Sequence, residues 1–333
     1  MTSPAETVQA PPTEVPPPAP PLARRPRNVG DRLWAAGLTT LGGAVLVVAG
    51  VIVLSLYGLS RPLAAGGGSL LGFLVGQDWD PVQSSFGALP FVYGTLVTSA
   101  VAIAVALPVS VALALFMVEV APARLRPVVS FLIETLAAIP SVVYGLWGLF
   151  VLVPWLRDSA EPALARWLGF LPLFQGPRIG LGYLAAGLIL AVMILPTIAS
   201  VTIEVLKTVP IPLREGVLAL GATRWEAIRM TVLPYARSGI AGAALLGLGR
   251  ALGETMAVTM VIGNSPTIRA SLFAPGYSLP AIIANEFAEA VSATHVAALA
   301  GLALVLFGLS IVLNALALLL VHGVGAASPG RGR

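Results

Sequence analysis

The sequence predicts an all-α integral membrane protein with six transmembrane helices. Two observations carry this prediction: the composition is far more apolar than that of a soluble domain, and the apolar residues fall into six long stretches. Hydrophobic residues make up 57% of the 333 residues and charged residues 10%, with a mean hydropathy of +0.92. A chain of this composition is expected to cross the bilayer several times.

Each of the six apolar stretches reaches the length of about 20 residues that a helix needs to cross a bilayer. Pro108, Pro140 and Pro196 lie inside them, which predicts kinked helices whose freed carbonyls find other donors. The predicted spans run from Leu33 to Tyr57, Leu89 to Val118, Val128 to Leu156, Ile179 to Leu206, Gly239 to Ile262 and Val296 to Val321.

The distribution of Lys and Arg predicts the orientation of these spans. An even number of spans places both termini on the same side of the membrane. If that side is the cytoplasm, thirteen basic residues lie inside and five outside, with Arg250 left within a span. This bias follows the positive-inside rule and predicts cytoplasmic termini. It also places the loop 207–237 in the cytoplasm.

Two terminal segments lie outside the predicted transmembrane domain, which covers residues 33–322. Residues 1–32 contain the run PPTEVPPPAPP and lack apolar periodicity, so they predict a disordered, proline-rich cytoplasmic tail. Residues 323–333 are expected to form a second, short cytoplasmic tail. The apolar run after the first tail is too long for the core of a signal peptide, which predicts a retained membrane anchor.

The chain lacks the residues that several kinds of chemistry need. It has no cysteine, which excludes disulfides, a thiolate nucleophile and a cysteine metal site. Its two histidines, His295 and His322, lie far apart, and we predict neither a metal nor a cofactor. Lys207, the one lysine, follows Leu206 and not glycine, which excludes a phosphate-binding loop of the Gly-Lys-Ser/Thr type. Nucleotide chemistry must therefore belong to another polypeptide, and we expect no catalytic residues and no nucleic-acid partner.

The loop 207–237 predicts two short helices joined by a glycine turn. Pro212 suits the first turn of a helix, and Gly221 suits a left-handed stop at its end. Thr223 and Glu226 have the spacing of a capping box, so a second helix should begin at once. We expect that helix to continue until Pro234.

An amphipathic helix pair of this kind has two interpretations. It either lies on lipid head groups or fits into a groove of a partner protein. Glu215 and Glu226 offset part of the positive charge of the five basic residues of the loop, and a cap fixes the turn between the helices. Both features favour the groove of a partner protein.

An arginine and a glutamate interrupt the fifth apolar stretch, in LLGLGRALGETMA at 245–257. Arg250 and Glu254 are four residues apart, so on a continuous helix they share a face and can pair. In one interpretation the ion pair only fixes helix packing. In the other, Arg250 is a way-station for an anion crossing the membrane, and Glu254 holds the guanidinium while the path is empty. We favour the second, because ionisable groups within membranes usually mark transport paths and the guanidinium fork suits phosphate oxygens.

Other residues near the spans carry weaker signals. Gly249 and Gly253 flank the charged residues and permit close helix packing, which could also leave room for a small anion beside Arg250. Glu134 could face the path, but it lies within two turns of the start of its span, where acidic side chains more typically reach the interface or cap the helix.

Several stretches resemble one known family of transport proteins. Glu215, Gly221 and the VLP at 232–234 resemble the EAA loop of integral membrane subunits of ATP-binding-cassette (ABC) importers, although Gly216 and Val217 stand where alanines usually fall. Longer stretches narrow the resemblance to the phosphate-specific permeases of the PstC type. They are FGALPFVYGTLVTS at 86–99, AAIPSVVYGLWGL at 137–149, ALGATRWEAIRMTVLPYARSGI at 219–240 and LGLGRALGETMAVTMVIGN at 246–264.

The resemblance implies the type I transmembrane fold of ABC importers in a bacterial-type inner (plasma) membrane. It implies a non-catalytic subunit that couples ATP hydrolysis on other chains to phosphate import by alternating access. The implied partners are a PstA-type permease, a PstB-type ATPase dimer and a PstS-type phosphate-binding protein, besides the lipid bilayer. Phosphate translocation is carried over onto Arg250 and Glu254. ATPase coupling is carried over onto six positions: Glu215, Gly221, Ala222, Thr223, Glu226 and Pro234.

Two other functions stay open at this point. One is an importer permease for another oxyanion, such as sulfate or molybdate, which would keep the EAA loop but not the stretches at 137–149 and 250–264. The other is a stand-alone channel or ion-driven carrier, which would need no ATPase groove. Co-purification with a nucleotide-hydrolysing subunit separates this second function from an importer.

Overall fold

The computed structural model describes residues 29–65 and 69–326. Most of the two predicted tails, 1–28 and 327–333, lies outside the described residues. Residues 29–32 already belong to the first helix, and residues 323–326 continue the last one. The chain divides between Ile52 and Val53 into two compact units, and the candidate sites lie in the second.

The described residues are mostly helical, with one small hairpin of two strands, β1 (Trp79–Asp80) and β2 (Ser85–Phe86). The α-helices, in chain order, are α1 (Val29–Ala65), α2 (Leu70–Val75), α3 (Leu89–Leu115), α4 (Arg126–Ala138), α5 (Ser141–Trp147), α6 (Val153–Trp155), α7 (Glu161–Leu168), α8 (Tyr183–Lys207), α9 (Ile211–Ala219), α10 (Arg224–Ala227), α11 (Leu233–Gly253), α12 (Met256–Val261), α13 (Leu279–Glu286) and α14 (Ala293–Ala326).

Within the described ranges, four helices are long and apolar enough to cross a membrane, and a bent pair would be a fifth crossing. The bent pair corrects the predicted span 128–156, which is two segments at 93° and not one helix. Pro140 explains the bend, since it donates no backbone N–H and keeps the preceding Ile139 extended, with ψ of 128°. The four spans are Gly30–Pro62, Leu89–Val120, Tyr183–Lys207 and Ala293–Leu319.

The predicted fifth span, 239–262, is also interrupted. Helix α11 ends at Gly253, Glu254 is extended with φ of −72° and ψ of 127°, and α12 begins at Met256. Helix α11 does not qualify as a span by itself among the helices of the described ranges. Arg237, Arg250 and five glycines lower its hydropathy.

Four π-helical turns in the described part of the chain share one cause. In each, the residue that directly precedes a proline donates its N–H to the carbonyl five residues back, as Leu233 does to Ile228. The wider turn carries the helix past a residue that cannot donate. We predicted that the second helix of the loop would end at Pro234, and this was wrong. Pro234 lies in the first turn of α11. The turns are Phe116–Val120, Gly148–Leu152, Leu156–Ala160 and Ile228–Val232.

Helix α8 is the centre of the second unit. In its most apolar window 67% of the residues are buried, against 28% for α3 and 33% for α14. Glycines allow the close contacts: a Cβ at Gly187 would meet the side chain of Val101 on α3, and one at Gly247 would lie 2.6 Å from Ile198 on α8. The residues that α8 carries are therefore held by neighbours on several sides.

A separate apolar cluster lies at the end of the bundle where α8 finishes. It joins the ends of α3 and α8 to α4 and to the start of α11, because all of them contribute buried side chains. Its fully or nearly buried members are Ala114, Met117, Ala121, Ile133, Ile203, Leu206, Val209, Val232 and Ala236. The loop 207–237, which we call the elbow, thus packs against the ends of α3 and α8 and against α4.

The opposite end of the bundle is closed by the hairpin, α13 and the start of α14. Glu286 on α13 joins them, since it accepts a hydrogen bond from Trp79 Nε1 at 2.9 Å and lies 2.9 Å from His295 Nε2. Phe86 stacks on the His295 ring, with 5.7 Å between ring centroids. These contacts fix the loops that lead into α3 and α14.

Candidate functional site

Arg250 lies near the end of α11 with its side chain exposed. Its Nη1 donates a long hydrogen bond, 3.4 Å, to Thr197 Oγ1 on α8. A Cβ placed at Gly249 or Gly253 would meet no atom within 4 Å, so the backbone beside the guanidinium is open. Arg250 therefore presents most of its donors to a free face of the chain.

Glu254 does not pair with Arg250, contrary to our prediction: among the ion pairs of the described residues, neither side chain takes part in one. Because the backbone leaves the helix at Glu254, the spacing of four no longer places the two side chains on one face. Glu254 Oε1 instead accepts a hydrogen bond from the Ala257 N–H at 3.2 Å. The carboxylate thus caps the first turn of α12, where a negative charge is favoured.

Tyr144 lies at the bend between α4 and α5. It is buried on α5, and its hydroxyl donates to the Leu136 carbonyl on α4 at 2.6 Å, which bridges the bend at Pro140. Sequence reasoning singled out neither Tyr144 nor Thr197, although each is a hydroxyl in an apolar stretch, four residues after Pro140 and directly after Pro196 respectively.

The two interrupted elements pack against each other. A Cβ at Gly145 on α5 would lie 2.6 Å from Met260 Sδ and 3.1 Å from Ala257 Cα on α12. One at Gly148 would lie 3.0 Å from Val261 of the same helix. The helix after the bend therefore packs against α12, which follows the break after α11, and Arg250 lies shortly before that break. Glu134 stays exposed on α4.

The glycine turn of the elbow is confirmed. Helix α9 has Pro212 in its first turn and ends at Ala219, and Gly221 follows with φ of +88°. This left-handed conformation favours glycine. The Gly221 and Ala222 N–H groups then donate to carbonyls in the last turn of α9, at 3.0 and 3.4 Å.

The capping box of the second helix is confirmed as well. Thr223 N–H and its hydroxyl both donate to Glu226 Oε2, at 2.7 and 2.8 Å, and Glu226 N–H donates back to Thr223 Oγ1 at 3.3 Å. The backbone and then the side-chain hydrogen bond from Thr223 hold the pKa of Glu226 below its ordinary value. Glu226 is therefore ionised at neutral pH, and α10 begins with a stable cap.

The elbow exposes apolar side chains that the described part of the chain does not cover. Helix α9 buries none of its residues, and Glu215 on it is exposed. Apolar side chains that project in a group from a fixed turn are typical of a protein interface. The most exposed are Ile211 at 64%, Leu220 at 88%, Trp225 at 63% and Met230 at 67%.

Comparison with known proteins accounts for these features. Over residues 106–325 the sequence matches the family described as "Binding-protein-dependent transport system inner membrane component". The chain belongs to this family. It is a multi-pass membrane permease, a transport subunit and not a member of a catalytic family.

Curated relatives match most of the permease. "Phosphate transport system permease protein PstC" of Mesorhizobium japonicum is 45% identical over 292 residues, which are 86% of this chain and 88% of the relative. "Phosphate transport system permease protein PstC 2" of Mycobacterium tuberculosis is 36% identical over 307 residues, 90% of this chain and 94% of the relative. "Probable phosphate transport system permease protein PstC" of Methanocaldococcus jannaschii is 38% identical over 237 residues, which are 71% of this chain and 75% of the relative.

Two solved structures share the fold of the permease. A chain of the bacterial alginate ABC transporter, crystallised with an alginate pentasaccharide-bound periplasmic protein, gives a TM-score of 0.56 at 18% identity and covers 90% of this chain and 95% of its own. A chain of the inward-facing MetNI methionine ABC transporter gives a TM-score of 0.50 at 22% identity and covers 72% of this chain and 94% of its own. At these identities the likeness concerns the fold alone, which is that of ABC importer membrane subunits.

Proposed function

We propose that this permease is a membrane-spanning subunit of an ATP-driven importer of inorganic phosphate. The observation that carries the proposal is the 45% identity, over 88% of its length, to a relative named as a phosphate transport permease. The exposed guanidinium of Arg250 in an otherwise apolar segment gives the proposal a chemical basis, since it can bind an oxyanion inside the membrane.

Arg250 is the proposed way-station for phosphate. Its hydrogen bond to the neutral Thr197 hydroxyl leaves the other guanidinium donors available, and the open backbone at Gly249 and Gly253 leaves space beside it. A single cationic site also suits transport, because an ion must bind well enough to enter and weakly enough to leave.

Glu254 is the second proposed translocation residue, with a role that the break in the helix modifies. Because its carboxylate caps α12, it does not occupy the guanidinium in this state. Glu254 therefore stabilises the break that opens the backbone beside Arg250. In a state where α11 and α12 align, the same carboxylate could return to the arginine face of the helix.

The proposed membrane topology has six crossings and both termini in the cytoplasm of a bacterial inner membrane. Four crossings are the spans given above, the bent pair is one, and α11 with α12 forms an interrupted sixth. This count agrees with the type I fold, which the TM-score of 0.56 supports. The elbow then lies in the cytoplasm, as the positive-inside rule requires.

The elbow is the proposed contact with the ATPase. Its exposed Leu220 and Trp225 flank the Gly221 turn and would insert into a groove of a PstB-type ATPase dimer. The six coupling positions Glu215, Gly221, Ala222, Thr223, Glu226 and Pro234 either shape the two helices or lie exposed on them. A PstA-type permease and a PstS-type phosphate-binding protein complete the proposed importer.

Phosphate uptake by the complex reconstituted in vesicles tests the proposal. We expect Arg250→Gln to abolish ATP-dependent uptake while the complex still assembles, and Arg250→Lys to retain part of it, because lysine keeps the charge without the fork. Normal uptake by Arg250→Gln would refute the way-station. Competition by sulfate but not by arsenate would favour another oxyanion. Uptake by the chain alone, without a hydrolase, would favour a stand-alone carrier.

A further inference from the structure

Arg214, in the middle of α9, joins the elbow to two membrane-spanning segments. Its Nη2 lies 3.2 Å from Glu119 Oε1 at the end of the α3 span, and the same nitrogen donates to the Leu206 carbonyl of α8 at 2.9 Å. Both charged side chains are largely buried, with 22% of the Arg214 side chain and 17% of the Glu119 side chain exposed. The ion pair is thus shielded from solvent more than a surface pair is.

No apolar core fixes α9 to the spans, since none of its residues is buried. In the described part of the chain, the other hydrogen bonds of α9 and of the turn after it stay within 210–222, and the turn before it, 208–209, bonds back to the last residues of α8. The contacts of Arg214 are therefore the polar link between α9 and the membrane-spanning helices. A cation at this position also suits the last carbonyls of α8, which carry partial negative charge.

Helix α8 continues this link to the proposed phosphate site. Leu206, whose carbonyl Arg214 holds, lies nine residues after Thr197, which Arg250 contacts. The intervening segment is a regular helix, about 13 Å long at 1.5 Å per residue. A helix packed on several sides moves as a rigid body, so a displacement of α9 is transmitted to Thr197.

The link is incompletely bonded in this state. Glu119 Oε1 and Arg214 Nε are buried without a hydrogen-bond partner in the described ranges, because the 3.2 Å contact has the distance of an ion pair but not the angle of a hydrogen bond. A guanidinium and a carboxylate form their strongest contact through two parallel N–H···O bonds. A small shift of α9 toward α3 would allow Arg214 and Glu119 to form them.

We propose that Arg214 is the positioning residue that transmits the movement of the elbow to α3 and α8, through Glu119 and the Leu206 carbonyl, and thereby to Thr197 beside Arg250. This inference rests on the proposed function, because it assigns a coupling role within an ATP-driven importer. The proposed contact between the elbow and the ATPase joins two chains, and Arg214 adds a polar contact within this chain.

The test is a double-mutant cycle on the reconstituted complex, with phosphate moved per ATP hydrolysed as the readout. We expect Glu119→Gln and Arg214→Gln each to lower this ratio at least about 5-fold while ATP hydrolysis persists. The double variant should be no worse than either single variant, because the two residues act through each other. Glu204→Gln is the matched control: it breaks the exposed 2.8 Å pair with Lys207 at the same end of α8 and should leave the ratio unchanged.

Two outcomes would overturn the link: unchanged ratios in both single variants, or effects that multiply in the double variant. If Arg214→Gln prevents assembly, Arg214→Lys replaces it, and an unchanged ratio in that variant counts against the link. If the wild-type complex hydrolyses ATP without moving phosphate, the proposed function fails. The link is then judged by whether substrate-loaded binding protein stimulates hydrolysis less in the variants than in the wild type.

Discussion

The Gly221 turn offers a direct test of how much the backbone of the elbow contributes to coupling. A Cβ at Gly221 would meet no atom within 4 Å, so Gly221→Ala changes backbone energetics without a steric clash. With φ at +88°, alanine is expected to cost about 1–2 kcal/mol. Gly221→Val costs more, since a β-branched residue is an outlier at positive φ.

Gly216 provides the matched control. It lies in the same elbow, inside α9, and a Cβ there also meets no atom within 4 Å. Since its backbone is helical, Gly216→Ala is expected to stabilise α9 by about 0.5–1 kcal/mol. The two substitutions add the same methyl group to equally open positions, and only the backbone conformation differs.

Amide hydrogen exchange on the assembled complex measures the difference. A cost of 1–2 kcal/mol corresponds to exchange that is roughly 5–30-fold faster for the amides of 222–227 in Gly221→Ala. The same variant should hydrolyse more ATP per phosphate moved, and Gly221→Val more still. Gly216→Ala should slow exchange in α9 and leave the coupling ratio unchanged. Equal exchange in Gly221→Ala and Gly216→Ala would refute the conformational argument.

Two further substitutions test the fold and the elbow. Gly94→Ala pushes a methyl group against the Tyr277 backbone oxygen, which cannot move away easily, and should destabilise the complex by about 1–3 kcal/mol in thermal unfolding. Gly242→Ala, at an open position, is the control and should not destabilise it. Equal melting temperatures of the two variants would contradict the packing at Gly94. Thr223→Ala removes the side-chain half of the cap with Glu226 and should cost about 1 kcal/mol, seen as roughly 5-fold faster amide exchange in α10. Unchanged exchange there would mean that the cap does not stabilise α10.

The elbow could be predicted from sequence because local rules determine it. Proline in a first turn, glycine at a left-handed stop and a Thr-x-x-Glu cap each act within four residues, and no distant residue has to be known. Pro234 was the exception within the elbow. Its effect depends on the hydrogen bond that the preceding Leu233 makes, and a π turn allows the helix to continue.

Pro140 did predict a kink in its span, although not a bend of 93°, whereas the break at Glu254 could not be predicted from the sequence. A hydrophobic pattern identifies a segment that is apolar enough for the bilayer, but it does not report whether the helix stays continuous. The pairing of Arg250 with Glu254 depended on that continuity. The residue that Arg250 does contact, Thr197, is more than 50 residues away in sequence and is brought near by the packing of α11 on α8.

The break at Glu254 also bears on how tightly the proposed site can bind. If Glu254 were hydrogen-bonded to Arg250, an arriving oxyanion would first have to displace it. A hydrogen bond between charged groups contributes about 1.5–3 kcal/mol, so the competition would weaken oxyanion binding by a factor of roughly 10 to 150.

With Glu254 on the Ala257 N–H, the carboxylate is stabilised by the end of a helix and does not compete for the guanidinium. In the proposed way-station, Arg250 would therefore bind as a single available cation in the state described, and more weakly in any state where α11 and α12 align and Glu254 pairs with it. Alternating access needs this difference, because an ion has to be bound in one state and released in the next. Under the proposed function, the chain would obtain it from one residue, Glu254, that changes its hydrogen-bond partner, without a second cation in the site.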